Sequence, residues 1–530
     1  MNLLTRLLGT FLSTGLAFAQ SGDDPLAALL RARVSADGPG VVAVVVRDGA
    51  VLHRAAYGLA DTTTKAPLRP DHPFYVASVA KSVTAACIVD LALAGKLKLD
   101  DEVLSHLPDL PAHCRGITLR HLMHHRSGLR DFYELELLAS RRPGDLTTRG
   151  VLELLARQRG TNFAPGSDFL YSNTGYLLLA EVVRKVTGKS LRAFANERLF
   201  VPLGMTNTWF RDADHSDARG LPKSYDDGEE TPLPPLLCGA GGLCSTADDL
   251  QRWIAAIAGS GFRPDLVREL VTPPVLRRDQ KRSPQFEPYA GGMLMATLLD
   301  EPAVLLLGGF FGWQAAALAL PQSKLQIVVL ANGDADALGI ARNLAATVLG
   351  RAESRPESTN GRPGYAIYRA DDGEVLLHVT RKSGTEVVTT LSWKVEVVSR
   401  DGQLRSVPSG TPLSARVVDG ALEVTIGGET PRRYRPLAPQ RVEPTVADSL
   451  AGTWHGYEIA ADVVLLAKDG RLVLDTSRMA MPVAPFMALD RDTWISDTGM
   501  QIDVQRDAGG SPIGLRISTA RARGMTFVRR

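Results

Sequence analysis

The stretch FYVASVAKSVTAA, residues 74–86, places Ser78 three residues before Lys81 in an apolar run that is compatible with a helix. Residues three apart share one helical face, so a helix that begins at or just before Ser78 brings the Lys81 amine beside the Ser78 hydroxyl. A serine hydroxyl attacks a carbonyl only when another group takes its proton, and an adjacent amine can do so. The start of the helix also aims backbone N–H groups at the attacked carbonyl. The stretch therefore makes Ser78 a candidate nucleophile and Lys81 its candidate base.

A plainer interpretation is a serine near a helix start followed by a solvated lysine one turn later. The Ser-x-x-Lys spacing occurs once in this chain, and chance alone produces it about once in a chain of this length. The pair therefore needs partners before it indicates catalysis.

The segment FAPGSDFLYSNTGYLLLAEVV, residues 163–183, contains such partners in the Tyr-x-Asn of Tyr171 and Asn173, just ahead of a helical pattern. A lysine cation near a phenol lowers the phenol pKa, so Tyr171 can relay the serine proton to a leaving group. The Asn173 amide can hold Lys81 or a substrate amide carbonyl. The alternative is that both are ordinary loop and helix-capping residues.

Composition limits the classes of function. The 530 residues are 45% hydrophobic and 22% charged, with 60 Lys and Arg against 58 Asp and Glu. This near balance indicates a globular protein and gives no sign of a nucleic-acid partner or an acidic surface partner. We expect no metal site, because the Cys and His residues lack zinc-ligand spacing.

The first twenty residues, MNLLTRLLGTFLSTGLAFAQ, have a basic residue near the start, an apolar centre and an A-x-A-like cleavage signal. They predict a signal peptide over residues 1–19 and a periplasmic or secreted mature chain without a membrane span. An uncleaved anchor is the weaker alternative, because polar residues interrupt a run already short for spanning a bilayer. The chain has four cysteines, of which Cys238 and Cys244 are close enough in sequence to pair. We expect Cys87, on an apolar helix, to be a small buried hydrophobe.

The order of patterns along the chain predicts one large domain and two small ones. A hairpin around Asp48-Gly49 comes first, helical patterns follow, and three apolar strands and a closing helix lie before residue 350. Strands at both ends with helices between them indicate an α/β (α+β) domain over residues 20–350, with an antiparallel sheet flanked by helices. Polar, proline-bearing stretches at 351–364 and 436–449 separate it from two helix-free regions of alternating strands. We predict β-barrel modules at 363–437 and 448–530.

The motifs together resemble a known family. The segments YVASVAKSVTAA, ITLRHLMHHRSGL, FAPGSDFLYSNTGYLLLAEVVRKVTG, PLGMTNT, GAGGLCSTADDL and VVLANG are similar to the serine hydrolases of the penicillin-binding and class C β-lactamase type. The resemblance implies a β-lactamase/transpeptidase-like fold and acyl-serine chemistry without a cofactor. It makes Ser78 the nucleophile, Lys81 the activating amine, Tyr171 the proton relay and Asn173 a substrate-positioning amide. Two β modules after the hydrolase domain further resemble the D-aminopeptidase layout, with its two lipocalin-like barrels.

One family motif is altered. The third motif has Lys or His, any residue, then Gly, and here Leu306 occupies the basic position, followed by Leu307 and Gly308. By analogy the backbone N–H of Gly309 still completes an oxyanion hole with that of Ser78. Loss of the cation weakens the case for a lowered Tyr171 pKa and argues against substrates with a free carboxylate.

The apolar residues near this motif favour an apolar ester or amide, although Leu306, Phe310, Phe311 and Trp313 are also compatible with a plain core role. We further expect one β module to project a loop over the cleft and restrict substrate entry, so that truncation after about residue 350 changes substrate preference.

Two functional hypotheses follow. In the first, the protein is an exported serine hydrolase that cleaves a small-molecule or short-peptide ester or amide, an amine-terminal D-residue among the candidates, through an acyl-Ser78 intermediate. In the second, it keeps the fold but has lost turnover, and binds a peptide or peptidoglycan-type ligand. The histidines of HLMHHRSGL, at positions 121, 124 and 125, are interpreted as satisfied helix-end residues. The oligomeric state is left open.

Overall fold

A computed structural model describes most of the chain after residue 23. The described residues are 24–139, 146–212, 215–216, 218, 220–259, 261–276, 280–281, 283, 288–351, 364–371, 374–380, 386–390, 394–400, 403–406, 413–426, 430–437, 442–475, 485–496 and 500–530. The predicted signal peptide, residues 1–19, lies outside them.

The helices are distributed mainly over the first 350 residues. They are α1 (Pro25–Arg31), α2 (Ala80–Leu93), α3 (Val103–His106), α4 (Leu119–Met123), α5 (Phe132–Leu138), α6 (Thr148–Arg157), α7 (Asn173–Thr187), α8 (Leu191–Ala195), α9 (Val201–Leu203), α10 (Ala247–Ala258), α11 (Pro264–Val271), α12 (Ala337–Leu349) and α13 (Pro444–Leu450). The strands of the same region are β1 (Val41–Arg47), β2 (Ala50–Tyr57), β3 (Leu59–Asp61), β4 (Ala66–Pro67), β5 (Phe74–Tyr75), β6 (Trp209–Phe210), β7 (Tyr225–Asp226), β8 (Glu229–Glu230), β9 (Leu243–Ser245), β10 (Tyr289–Ala290), β11 (Met293–Leu298), β12 (Glu301–Phe310), β13 (Trp313–Leu320) and β14 (Leu325–Ala331).

A seven-stranded antiparallel sheet, in the order β10-β11-β12-β13-β14-β1-β2, joins the two ends of the large domain. Its central pairing sets Val41 opposite Ala331 and Arg47 opposite Leu325. Strand β1 is buried on both faces: its odd-numbered residues pack in a cluster with α1 and α12, and its even-numbered residues pack in the cluster that contains α2, α7 and α10. Burial on both faces explains why the strand is a continuous apolar run rather than an alternating one.

Two closed barrels follow the sheet domain. The first consists of β15 (Gly364–Ala370), β16 (Val375–Thr380), β17 (Glu386–Thr389), β18 (Lys394–Arg400), β19 (Gln403–Ser406), β20 (Leu413–Val418), β21 (Ala421–Ile426) and β22 (Arg432–Leu437). The second consists of β23 (Gly452–Gly456), β24 (Ala461–Lys468), β25 (Arg471–Leu474), β26 (Phe486–Ala488), β27 (Thr493–Ser496), β28 (Gln501–Arg506), β29 (Pro512–Ser518) and β30 (Met525–Arg529). Closure pairs the first strand of each barrel with its last, which removes exposed sheet edges.

The second barrel packs directly on the sheet domain. Its core residues belong to the same apolar cluster as α2 and α7. A buried ion pair joins the two, because Arg130 Nη1 lies 2.9 Å from Glu458 Oε1 and the side chains are 8% and 6% exposed. Glu458 also accepts the backbone N–H of Arg159 at 2.7 Å, and its carbonyl accepts the Gln158 amide at 2.8 Å. The second barrel and the sheet domain therefore share a packed interface.

The structure confirms the predicted fold class and many of the predicted elements. The Asp48-Gly49 hairpin is formed, with positive φ at both residues. The sequence analysis missed β10, which is only two residues long, and the six-residue strand β11. It also overestimated the helix in ITLRHLMHHRSGLRD, because the chain leaves α4 at Met123 and His125 takes a φ of 56°.

The cysteines do not form disulfides among the described residues. Cys238 and Cys244, which the sequence allowed to pair, are not joined by a disulfide. The Cys238 thiol donates to the Arg211 carbonyl at 3.0 Å. Cys87 is fully buried on α2, as expected. Within the described part of the chain, no helix combines the length and apolarity that a membrane crossing needs.

We predict that Glu458→Ala weakens the contact between barrel and sheet domain. The substitution leaves the Arg130 guanidinium buried without its carboxylate, which costs about 3–5 kcal/mol of unfolding free energy. Chemical denaturation followed by intrinsic fluorescence measures the loss. The matched control is Glu153→Ala, which breaks the exposed pair with Arg149 and should cost less than about 1 kcal/mol. Equal losses from the two variants would contradict the prediction.

Candidate active site

Ser78 lies in a short 3-10 turn, Ala77–Val79, that leads into α2. Ala77 adopts a φ of 46°, a left-handed conformation that is strained for a residue with a Cβ. The 3-10 turn begins just before Ser78, where the sequence predicted the helix start, and α2 itself begins at Ala80, so the serine occupies the bend between strand β5 and α2.

Lys81 is buried under Ser78 and surrounded by oxygen atoms. Its Nζ lies 3.1 Å from Ser78 Oγ, 2.8 Å from Asn173 Oδ1 and 2.7 Å from the Ala240 carbonyl oxygen. The side chain is 0% exposed. The predicted serine–lysine contact is therefore present, and the solvated-lysine alternative does not describe this structure.

The surroundings of Lys81 favour its neutral form. Burial holds the pKa of the amine well below its usual range, an effect that Asp131 opposes and Arg521 supports. A neutral amine has two N–H donors and one lone pair. The carbonyl oxygens of Asn173 and Ala240 can only accept, so they take the two donors. The lone pair then faces the Ser78 hydroxyl, which is the arrangement a general base requires.

The Ala240 carbonyl belongs to the glycine-rich turn of GAGGL. Gly239 and Gly242 there have φ values of 101° and 82°, which glycine accommodates without strain. The neighbouring Gly239 carbonyl accepts the Thr84 hydroxyl at 2.9 Å. This turn therefore supplies a hydrogen-bond acceptor for Lys81.

Asn173 is the first residue of α7 and is held by Asp131. Its Nδ2 donates to Asp131 Oδ2 at 2.9 Å, and its backbone N–H donates to the same oxygen at 2.6 Å. This orientation points the amide carbonyl at Lys81. Of the two roles predicted for Asn173, the contact with Lys81 is the one formed here, and substrate positioning stays a prediction.

Tyr171 lies on the other side of Ser78. Its phenol shares a hydrogen bond with the Ser78 hydroxyl, and Lys81 Nζ lies 4.7 Å from the ring centroid. The expected lowering of its pKa does not occur: burial raises the pKa of Tyr171 above its ordinary value, more than Ser78 and Arg521 lower it. The phenol is therefore protonated at neutral pH and is a donor rather than a base.

His125 supports Tyr171. The two ring centroids are 4.3 Å apart. Its Nδ1 accepts the Ser172 backbone N–H at 3.1 Å, so its Nε2–H donates to the Tyr289 hydroxyl at 3.0 Å. Burial holds the His125 pKa well below its usual range. The histidine is satisfied, as the sequence analysis concluded, but it packs against the site itself.

Strand β12 passes close to the Ser78 turn at Gly308. A Cβ on Gly308 would lie 2.2 Å from the Val76 carbonyl oxygen and 3.2 Å from the Ser78 backbone nitrogen. Only glycine allows this approach. The backbone of Gly308 and Gly309 therefore borders the position where the oxyanion donors are expected.

A cavity of about 300 Å³ opens at this point. Its lining is mostly apolar and comprises Ser78, Tyr171, Tyr289, Gly292, Met293, Leu294, Leu305, Leu307, Gly308, Gly309, Gln314, Ala315, Asp336, Ala337 and Leu338. The cavity is apolar, as expected, but its lining residues are not the four that the sequence suggested, which were Leu306, Phe310, Phe311 and Trp313.

Two of the residues proposed for the apolar lining are core residues. Leu306 and Trp313 are 0% and 1% exposed and pack in the cluster with α2. Side chains alternate along a strand, so Leu305 and Leu307 lie on the opposite face of β12 from Leu306. The position of the family cation therefore holds a buried leucine.

The second barrel reaches the site with the loop between β29 and β30. Arg521 on this loop lies with its Cζ 5.9 Å from the Tyr171 ring centroid. Its Nη2 is 3.6 Å from Asp131 Oδ1, and its Nε donates to Glu134 Oε1 at 3.1 Å. A loop of the C-terminal half thus lies at the cleft, as the sequence analysis anticipated.

Sequence reasoning missed Asp131, Glu134 and Arg521. Asp131 also caps α5, since its Oδ1 accepts the Tyr133 N–H at 3.1 Å. An acidic residue just before an apolar helical run is a recognisable cap signal, but that signal does not reveal a second role. Arg521 follows Tyr171 by hundreds of residues and carries no local pattern.

Comparisons with known proteins agree with this geometry. A family model described as Beta-lactamase matches residues 26–350. A D-aminopeptidase of Cereibacter sphaeroides is 27% identical over 528 residues, covering 93% of this chain and 96% of the relative. The chain therefore aligns with that relative through both barrels.

Solved structures show the same fold. An octameric penicillin-binding protein homologue from Pyrococcus abyssi superposes with a TM-score of 0.57 at 20% identity, covering 78% of this chain and 99% of the other. A D-amino acid amidase from Ochrobactrum anthropi SV3 superposes with a TM-score of 0.51 at 23% identity, covering 61% and 95%. The predicted resemblance to penicillin-binding and class C β-lactamase-type proteins is confirmed.

We predict that Gly308→Ala lowers the rate of acylation of Ser78 by about 100-fold to 1,000-fold, because the new Cβ pushes β12 away from the oxyanion position. The rate of labelling by a fluorophosphonate measures the change. Gly261→Ala, in an exposed loop, is the control: its Cβ would meet nothing within 4 Å, so the rate should stay within a few-fold. A normal rate for Gly308→Ala would refute the predicted site.

Proposed function

This chain belongs to the Beta-lactamase family, and on that basis we propose that it is an exported serine hydrolase that cleaves a small amide or ester through an acyl-Ser78 intermediate, with D-aminopeptidase-like specificity. The family and its D-aminopeptidase relatives support an amide-cleaving serine hydrolase. The observation that carries the mechanism is the buried Lys81 amine 3.1 Å from the Ser78 hydroxyl. Export is proposed from the N-terminal residues alone.

In the proposed reaction the Lys81 amine takes the Ser78 proton as Oγ forms a bond to the substrate carbonyl carbon. The backbone N–H groups of Ser78 and Gly309 stabilise the oxyanion. The C–N bond then breaks, and the leaving nitrogen takes the phenol proton of Tyr171, which Lys81 replaces. Water hydrolyses the acyl-enzyme by the same proton path in reverse and releases the acid.

The charges at the site favour a substrate with a free amino group. With Lys81 neutral, the charged groups around it are Asp131, Glu134 and Arg521, which sum to one negative charge. Leu306 replaces the cation that would bind a substrate carboxylate. An α-ammonium is therefore better accommodated than the carboxylate of a β-lactam or a peptide C-terminus.

D-aminopeptidase relatives support this proposal further. The Cereibacter sphaeroides relative aligns over nearly the whole chain, both barrels included. Its name describes removal of an amino-terminal D-residue, and the charge argument separately favours a substrate with a free amino group. The apolar cavity of about 300 Å³ has room for one small residue side chain.

We predict that the purified protein hydrolyses D-alanyl p-nitroanilide faster than the L-isomer, and both faster than N-acetyl-D-alanyl p-nitroanilide and nitrocefin. Absorbance assays give kcat/KM for each compound. Ser78→Ala should lower the turnover of the best substrate on the order of 10,000-fold, whereas Ser105→Ala, on exposed α3, should not change it.

Labelling with a fluorophosphonate and mass spectrometry separates turnover from binding. An adduct on Ser78 in the wild type supports the acyl-serine mechanism. No adduct on folded wild-type protein would favour the alternative, a penicillin-binding-like protein that binds a peptide without turnover. Faster cleavage of the acetylated compound than of the free amine would overturn the substrate assignment.

A further inference from the structure

Arg521 is held in place by its own backbone as well as by its side chain. Its carbonyl oxygen accepts the Asp131 backbone N–H at 3.1 Å and the Asn162 amide at 3.2 Å. On the same loop, the Arg523 backbone N–H donates to Asn162 Oδ1 at 2.8 Å. The β29–β30 loop of the second barrel is therefore anchored to the sheet domain at Arg521 and at Arg523.

The guanidinium lies between two carboxylates and the site. Asp131 is 0% exposed and Glu134 is 13% exposed, whereas the Arg521 side chain is 28% exposed. A carboxylate as buried as Asp131 needs a nearby positive charge. Arg521 provides that charge from a different domain, with its Nη2 3.6 Å from Asp131 Oδ1, while the other oxygen of the same carboxylate, Oδ2, holds Asn173.

The charge of Asp131 acts on Lys81. An uncompensated carboxylate near a buried amine favours the ammonium, and an ammonium cannot take the serine proton. The other titratable groups that face Lys81 are His125, Tyr171 and Tyr176, and burial keeps all three uncharged at neutral pH. Burial is the largest cause of the low Lys81 pKa, and the balance between Asp131 and Arg521 adjusts that pKa.

We propose that Arg521 is a positioning residue of the hydrolase site: from the second barrel it neutralises Asp131, so that Asn173 stays oriented and Lys81 stays a free amine. It thereby places a positive charge near Tyr171 in a molecule whose third motif has Leu306 in the cation position. The inference rests on the proposed acyl-Ser78 mechanism. It makes the second barrel a functional part of the active site rather than an appendage.

The test is the pH dependence of fluorophosphonate labelling of Ser78 in the full chain. Labelling needs the free amine, so the rate falls as the pH drops through the Lys81 pKa. Arg521→Gln leaves Asp131 uncompensated and raises that pKa. The acidic limb of the pH–rate profile, where the labelling rate falls, should therefore move up by about one pH unit. Arg521→Lys keeps the charge and should leave the limb close to its wild-type position.

Two further variants separate charge from structure. Arg523→Gln removes the same charge from the same loop but acts on Asp168, 3.2 Å from Arg523 Nη1, so its limb should not move. The double variant Arg521→Gln with Asp131→Asn removes both charges, and its limb should return toward the wild type. An unmoved limb in Arg521→Gln, or a double variant that does not return, would overturn the proposal.

The outcome also distinguishes this inference from the proposed function. If wild-type Ser78 is not labelled at any pH, the acyl-serine mechanism itself fails. If the wild type is labelled with an acidic limb that Arg521→Gln does not shift, the mechanism stands and the role of Arg521 is wrong. Truncation of the barrel is a poorer test, because it also exposes Arg130 and the shared core.

Discussion

A single amine, buried and surrounded by oxygen atoms, is the feature on which the site depends. Water does not reach Lys81, so its charged form loses the hydration that stabilises it at a protein surface. Two carbonyl oxygens occupy the N–H donors of the neutral form, and the remaining lone pair faces the Ser78 hydroxyl. The turn at Ala240, the start of α7 and the strained bend at Ala77 all take positions that keep this arrangement.

The buried amine also links the sheet domain to the second barrel. Asn173 can hold Lys81 only while Asp131 holds Asn173, and a fully buried aspartate requires a cation. That cation comes from Arg521 in the second barrel, which is attached to the sheet domain by a shared apolar core and by Arg130 with Glu458. The hydrolase domain and the barrel are thus linked through charge as well as through packing.

Local signals predicted a large share of this molecule. The Asp48-Gly49 turn, the apolar runs of β12 to β14 and the cap-to-glycine pattern of α7 all have causes within a few residues, so sequence reasoning identified them. It was less successful where contacts override local preference. It missed the strands β10 and β11, and it lengthened α4, which ends because His125 turns out of the helix. It also expected a lowered Tyr171 pKa, because it weighed a neighbouring charge and had no measure of burial.

The sequence by itself determined the fold class, the serine–lysine pair on one helical face and the presence of a phenol and an amide to complete it. These follow from short spacings, since a helix converts an interval of three residues into a contact. Only the tertiary structure decided that Asn173 faces Lys81, that the GAGGL turn contributes a carbonyl, and that Asp131, Glu134 and Arg521 set the charge of the site. Those contacts join residues far apart in the sequence, from 42 positions for Asp131 and Asn173 to 387 for Glu134 and Arg521, and their strength depends on the exclusion of water, which folding alone brings about.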